Sequence, residues 1–212
     1  AVDPVGDVWT GSATNRLFQR ITASTATAVA TSVFNSSCGG YGGLVDGNNV
    51  IWSANWDPGN GTGFMRYDVP FTSSPLTCIT NVRNYGVGID PDTCNIWTTS
   101  AYYDNNLREV DPAGNLLNVY NHAGTSSPVD LTRGVVISNG NVWVAHGYTN
   151  TVGRVSTSGV FLGNVPVGAT PTGVAVDSNG KVWATNLGSN NASRIDPSTV
   201  PGAVDLTVDL GP

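Results

Sequence analysis

The sequence predicts an all-β protein, and three observations lead to that class. Short apolar segments recur at nearly constant spacing, 26 Gly and 12 Pro supply many turns, and the helix-favouring residues Glu and Lys occur once each, as Glu109 and Lys181. Hydrophobic residues make up 40% of the 212 residues and six are Trp, which excludes a disordered chain. We expect residues 1–212 to form a single domain.

The apolar segments belong to five repeated units, each marked by a Trp that follows Val or Ile. These residues are Trp9, Trp52, Trp97, Trp143 and Trp183, at spacings of 43, 45, 46 and 40 residues. Before each Trp comes a short apolar stretch and a turn, as in GVAVD (173–177) followed by SNGK. An Arg lies eleven residues after four of the Trp (Arg20, Arg108, Arg154, Arg194), and Arg66 lies fourteen after Trp52.

Each unit contains four segments with the length and the β-branched composition of short strands. A fourth segment follows each Arg, such as 26–33 and 203–210. Five units of four strands at a period of about 42 residues predict a β-propeller of five four-stranded blades. We expect the repeats at about 1–42, 43–85, 86–133, 134–172 and 173–212. Five blades that close on themselves are slightly favoured over a five-blade stretch of a six- or seven-bladed propeller.

The pattern G-V-x-V-D-x-x-G-x-V-W, followed by R-[IV]-[DS], is clearest at 173–197 and 140–156. It resembles the repeats of virginiamycin B lyase (streptogramin lyase) and of NHL-like propellers. That resemblance implies the propeller fold and raises a carbon–oxygen lyase activity, in which His and Glu work with a bound magnesium ion. The corresponding positions are Ser12, Asn55, Ser100, His146 and Asn186, and none is Glu. Only His146 could act as a general acid or base near neutral pH.

Residues common to all units are expected to pack the blades. We therefore assign the five Trp to the core between blades. Each Arg is expected to cap a carbonyl of a neighbouring loop or to pair with the Asp that precedes its Trp, so Arg194→Met should destabilise the fold. The alternative is a ring of Arg that binds an anion. The Asp residues are Asp3, Asp46, Asp90 and Asp177, and the fourth unit has Ser138 instead.

Ligand binding is expected where the units differ, on the face built by the loops between second and third strands and by the links between blades. Stacked aromatic side chains among Asn and Ser suit a glycan, a peptide or another surface protein. The alternative is that these aromatics pack only against their own loops. The candidate ligand-binding residues are Asn55, Trp56, Tyr102, Tyr103, Arg133, His146, Tyr148 and Asn186. Tyr41 and Tyr85 lie in the links beside them.

The charge balance and the apolar pattern exclude two classes of function. With 9 basic and 15 acidic residues there is no basic patch for nucleic acid, and no apolar run is long enough for a membrane helix. The composition favours a secreted or cell-surface protein. The predicted role is a non-enzymatic recognition or scaffold domain. One alternative is a lyase with His146 as its catalytic residue, and another is a structural module of a larger surface protein or filament.

No cofactor is predicted, and no His or Cys cluster has the spacing of a zinc site. Asp57 and Asp104 could offer oxygen ligands to Ca²⁺, although an Asx turn is the favoured interpretation. Three Cys leave one unpaired if a disulfide forms. A Cys78–Cys94 bridge would close a short loop, and Cys38–Cys78 is its rival.

Overall fold

The computed structural model describes residues 1–29, 38–55, 63–69, 76–80, 82–101, 104, 106–121 and 131–211 and, for the main chain alone, 34–35. Within these ranges all regular structure is β, in five antiparallel sheets of four strands. The predicted all-β fold of five four-stranded blades is confirmed. In the described part of the chain, no helix has the length and apolar character needed to cross a membrane.

Sheets two to five are meanders in which consecutive strands pair from the innermost to the outermost. In chain order, the strands are β1 (Val8–Gly11), β2 (Leu17–Thr22), β3 (Thr27–Ala28) and β4 (Phe34–Asn35) in the first sheet; β5 (Gly42–Val45), β6 (Val50–Ala54), β7 (Phe64–Asp68) and β8 (Thr77–Ile79) in the second; β9 (Val87–Ile89), β10 (Ile96–Thr98), β11 (Asn106–Val110) and β12 (Leu116–Asn121) in the third; β13 (Thr132–Ser138), β14 (Asn141–His146), β15 (Thr151–Ser156) and β16 (Phe161–Pro166) in the fourth; and β17 (Pro171–Val176), β18 (Val182–Asn186), β19 (Asn191–Asp196) and β20 (Ala203–Asp209) in the fifth.

The first sheet departs from the expected plan. Its innermost strand is represented by a single bridge between Val2 and Val8, because only Ala1 and Val2 precede Asp3 in the sequence. Its outer segment is divided into β3 and β4, which pair with opposite ends of β2. The first unit therefore also has four strands, but its two outer strands both pair with β2 instead of following one another across the sheet.

The disulfide joins Cys38 to Cys78, with their Cα atoms 5.9 Å apart. The bridge ties the link before the second sheet, which holds Cys38, to the outer strand β8 of that sheet, which holds Cys78. Cys94 is a free thiol in the turn before β10. The Cys78–Cys94 alternative is therefore wrong.

Hydrophobic clusters between successive sheets form the core. The Trp of one sheet packs on the Val and Ile side chains of the next, as Trp143 does on Val182 and Ile195. Trp9, Trp52, Trp97 and Trp143 are each at most 4% exposed. A buried Trp removes roughly 150–250 Å² from water, worth several kcal/mol at about 25 cal/mol per Å². The assignment of these four Trp to the core between blades is confirmed.

The fifth Trp is different because it belongs to none of the hydrophobic clusters that join successive sheets. Trp183 is only half-buried, and Leu206 on the same face is 38% exposed. On the first sheet, the face opposite Trp9 leaves Val8 and Leu17 each 38% exposed. None of the hydrophobic clusters joins the first sheet to the fifth. The closure that we favoured between these two sheets is therefore not seen among the described residues.

The Asp of the repeat holds the Trp side chain and the turn before it. In the second unit, Asp46 Oδ2 accepts a 2.9 Å hydrogen bond from Trp52 Nε1, while Oδ1 accepts from the main-chain N–H groups of Asn48 and Val50. Asp3 and Asp177 bind Trp9 and Trp183 in the same way, at 3.0 and 2.9 Å. The sequence brought these Asp residues forward as partners of Arg, so their main role, as acceptors for the indole, was missed.

Four of the five Arg lie directly opposite their Trp and over its ring, at 4.8–5.8 Å from the ring centroid: Arg20, Arg66, Arg154 and Arg194. The expected capping of neighbouring loops is confirmed for two of them. Arg66 Nε donates to Pro112 O at 2.9 Å, and Arg154 Nη1 donates to Thr199 O at 2.8 Å. The expected ion pair with the preceding Asp is confirmed for Arg20, which contacts Asp3.

The third unit breaks this arrangement. The ladder places Glu109 opposite Trp97, and Arg108 lies opposite Thr98 on the other face, where it pairs with Asp104. Glu109 instead accepts hydrogen bonds from Asn95, Asn118 and Tyr120. The assignment of Arg108 to the same role as the other Arg is therefore wrong, because this hairpin is one residue longer than the eleven-residue spacing assumes.

The innermost strands of the third, fourth and fifth sheets approach one another closely at Gly86 and Gly134. A Cβ at Gly134 would lie 2.9 Å from the Cα of Gly173, and one at Gly86 would overlap the carbonyl oxygen of Arg133. Only Gly permits this approach of backbone to backbone. This close approach places the residues just before these Gly side by side around the axis about which the sheets are arranged.

Candidate functional site at the loop face

The start of each innermost strand and the end of the second strand meet at one end of the blades. Thr132 of β13 lies opposite His146 of β14, and Pro171 of β17 lies opposite Asn186 of β18. The links between sheets and the turns after the second strands therefore share one end, which we call the loop face. The prediction that these two sets of loops lie together is confirmed for the fourth and fifth units.

The structure brings five of the eight candidate ligand-binding residues to the loop face: Asn55, Arg133, His146, Tyr148 and Asn186. Trp56, Tyr102 and Tyr103 lie outside the described residues. His146 and Asn186 are the last residues of β14 and β18 rather than loop residues, so both are more enclosed than the sequence suggested. Tyr148, in the turn after β14, is 60% exposed.

His146 is buried completely, facing away from Trp143 on the side of the third sheet. Thr151 Oγ1 lies 3.4 Å from its Nδ1, and a Cβ at Gly153 would lie 2.6 Å from its Cε1. Burial lowers the pKa of His146 to about 4, so the imidazole is neutral near pH 7. This geometry favours a histidine with local contacts over one that meets a ligand at the surface.

Two Asn residues organise the loop face. The main-chain N–H of Asn55 donates to Asn84 Oδ1 at 2.5 Å, which ties the turn after β6 to the link before the third sheet. Asn186 Nδ2 donates to Asn191 Oδ1 and Ser193 Oγ at 2.8 and 2.9 Å. Asn186 Oδ1 is buried and has no partner in the described structure.

Four residues lie at the start of the innermost strands: Tyr41 and Tyr85 come just before β5 and β9, and Arg133 and Thr172 are the second residues of β13 and β17. The hydroxyl groups of Tyr41 and Tyr85 are 2.7 Å apart, with ring centroids at 5.0 Å. Arg133 Nη1 donates to Thr172 Oγ1 at 3.0 Å. Its Nε is buried and meets no acceptor among the described groups. The row thus carries two phenols, one guanidinium and one hydroxyl around the axis; we call it the axial row.

A cavity of about 390 Å³ opens beside the axial row at the top of the fifth sheet. Thr172 belongs to both the axial row and the cavity wall. The other walls combine amides with two Leu side chains: Thr185, Asn186, Leu187, Asn190, Asn191 and Leu210. Sequence reasoning identified Arg133 and Asn186 but missed Thr172, because only the packing of the fourth sheet on the fifth brings it to Arg133.

The described residues include no group of three or more His, Cys, Asp or Glu side chains that could hold a metal ion. Asp104, considered as a Ca²⁺ ligand, instead accepts from Ser100 Oγ at 2.5 Å and pairs with Arg108. Although burial acts to raise the pKa of Asp104, these hydrogen bonds lower it further than burial raises it. Asp57 lies outside the described residues.

Comparison with known proteins identifies the fold. No family model and no curated protein matches the sequence. Among solved structures, virginiamycin B lyase from Staphylococcus aureus, an inactive variant studied with quinupristin, superposes with a TM-score of 0.77 at 17% identity, over 99% of this chain and 68% of that one. This chain is a β-propeller. A streptogramin B lyase superposes at 0.75 and 18%, over 100% and 68%. A gluconolactonase from Xanthomonas campestris follows at 0.63 and 17%, over 88% and 67%.

The resemblance of the repeats to virginiamycin B lyase is thus confirmed for the propeller fold. At 17–18% identity the likeness shows the fold alone, and the activities in those names belong to the named proteins. A protein from Bacteroides caccae whose function is unknown also superposes, with a TM-score of 0.69 at 15% identity over 95% of this chain and 72% of that one.

Proposed function

We propose that this propeller is an extracellular recognition domain that binds a glycan or a peptide on its loop face, without catalysing a reaction. The observation that carries the proposal is the axial row beside the cavity at Thr172. The row carries phenol rings and a guanidinium, and the cavity that shares Thr172 with it is lined by amides and Leu side chains at the same end of the fold. Such mixed apolar and hydrogen-bonding walls are typical of ligand sites.

The chemistry of the described residues favours binding over catalysis. A lyase that abstracts a proton needs an accessible base and a group that stabilises the developing anion. The buried His146, with its pKa near 4, is a weak base that a ligand on the loop face would not touch. Glu109, the only Glu in the chain, is engaged by Asn95, Asn118 and Tyr120 between sheets.

A secreted location fits the proposal. The Cys38–Cys78 bridge would persist in an oxidising compartment and would be reduced in the cytosol of most cells. Few Lys and Glu and an excess of acidic over basic residues fit the same location.

The test is a screen of the purified protein against glycan and peptide arrays, followed by titration of each hit. Tyr41→Ala with Tyr85→Ala should weaken binding at least tenfold, because both rings lie in the axial row. Leu117→Ala is the matched control, since Leu117 is 46% exposed on the outer strand β12, away from the loop face. Equal binding by both variants would show that the ligand lies elsewhere. Consumption of quinupristin by the wild type would instead support the lyase alternative.

A further inference from the structure

The cations of the described chain are almost all engaged by acceptors within it. Carboxylates pair with Arg20, Arg66, Arg108, Arg194 and Lys181. Arg154 has no carboxylate, but its guanidinium meets carbonyl oxygens of the next blade and Asn141 Oδ1. Arg133 differs from these. The one hydrogen bond that its guanidinium makes within the described structure runs from Nη1 to Thr172 Oγ1.

This leaves most of the hydrogen-bonding capacity of Arg133 unused. A guanidinium carries five N–H groups in a planar fork that matches a carboxylate. Arg133 is partly buried, and its Nε has no acceptor in the described part of the chain. A partly buried guanidinium is costly when it has no counter-ion, and none of the described residues supplies one to Arg133, so the geometry favours an external anion at this point.

The surroundings of Arg133 indicate which other chemical groups the anionic ligand carries. Thr172, which receives the Arg133 hydrogen bond, lines the 390 Å³ cavity. In that wall, Asn186 is 2% exposed and its Oδ1 is buried without a partner, so it can accept a hydrogen bond from a ligand hydroxyl. Leu187 and Leu210 add apolar surface for the C–H face of a ring. A carboxylate carried on a ring with hydroxyl groups satisfies all three features.

We infer that the loop face binds an acidic sugar, with the uronate carboxylate on Arg133 and the hydroxyl groups of the sugar in the cavity beside Thr172 and Asn186. This inference rests on the proposed function and narrows its ligand class. The net charge of the whole chain is −6, so long-range attraction does not favour an anion and the preference must come from this local group.

The test compares a trigalacturonate with its methyl ester, which keeps the rings and removes the charge. We expect the wild type to bind the acid at least tenfold more tightly than the ester at low salt, with the difference shrinking as salt screens the charge. Arg133→Met should abolish this preference. Arg194→Met is the control, because it removes the same charge from a residue already paired with Asp205 on another surface. Loss of the preference in both variants would overturn the assignment to Arg133.

Thr172→Val keeps the guanidinium but removes its anchor, so it should weaken binding of the acid several-fold even if Arg133→Met folds poorly. An acidic peptide of similar charge forms the second arm. Equal binding of acid and ester, or binding of the peptide but not of the uronate, would overturn the inference while leaving recognition at the loop face intact. If array ligands bind but ignore Tyr41, Tyr85 and Arg133, the proposed function itself fails.

Discussion

Arg154 and Arg194 occupy equivalent places in their repeats, and their surroundings predict very different effects on stability. Arg154 is 9% exposed, with its guanidinium 4.8 Å from the centroid of the Trp143 ring. It bridges the fourth sheet to the turn between β19 and β20 of the fifth. Arg194 contacts Asp205 within its own sheet, on the face that carries Trp183.

The expected loss for Arg154→Met follows from its two shortest bonds, to Thr199 O at 2.8 Å and to Asn141 Oδ1 at 3.0 Å. A hydrogen bond from a charged group contributes about 1.5 kcal/mol or more, so removing two costs about 3 kcal/mol. For a chain of this length, each kcal/mol shifts the melting temperature by roughly 2–4 °C, which gives a decrease of about 6–12 °C. Arg194→Met should leave the melting temperature close to that of the wild type, contrary to what the sequence alone suggested.

Thermal and urea unfolding, followed by Trp fluorescence and circular dichroism, would measure both variants. Arg154→Lys serves as a further comparison, because an ammonium keeps the charge but cannot reach several carbonyls with a planar fork. Equal shifts for Arg154→Met and Arg194→Met would refute the reasoning, since the bridge between blades would then contribute nothing measurable.

Two further predictions concern the core. Replacing Cys38 and Cys78 by Ala opens a link across 40 residues and should cost about 4 kcal/mol in the chain-entropy account, whereas Cys94→Ser should not change the urea midpoint. For His146, the folded pKa of about 4 lies below the unfolded value of about 6.5, so its contribution is full above pH 6.5 and is lost as the pH falls towards 4. Between pH 6.5 and pH 4, the free energy of unfolding of the wild type should therefore fall by up to about 3 kcal/mol more than that of His146→Gln. The same pH profile in both proteins would count against a buried neutral imidazole.

The repeat predicted the blades because its signals are local. The Trp, the turn and the alternating apolar residues lie within about 20 residues, and the same pattern recurs five times. The register between strands is harder to predict from the sequence, because it is set by a ladder of main-chain hydrogen bonds that shifts when a turn gains one residue. Counting eleven residues from Trp97 leads to Arg108, whereas the ladder places Glu109 opposite that Trp.

The candidate site was predictable in its location and only partly in its residues. Arg133 and Asn186 were chosen because they lie at loops and links, and the structure connects them through Thr172. That connection depends on how closely the fourth and fifth sheets approach, which the Gly residues permit but do not reveal in the sequence. The depth of His146 was missed because β14 continues to that residue.

Since each hydrophobic cluster joins a sheet only to its sequence neighbour, the described sheets form a row of nearest-neighbour interfaces. Rows of this kind lose order from an unpartnered edge inwards, because the terminal member gives up one interface where an interior member gives up two. The two terminal sheets, the first and the fifth, are thus expected to open before the interior ones, and amide exchange should be faster in β18 of the fifth sheet than in β14 of the fourth. The cavity beside Thr172 would be lost when the fifth sheet opens, so a ligand bound in the cavity would also stabilise that sheet.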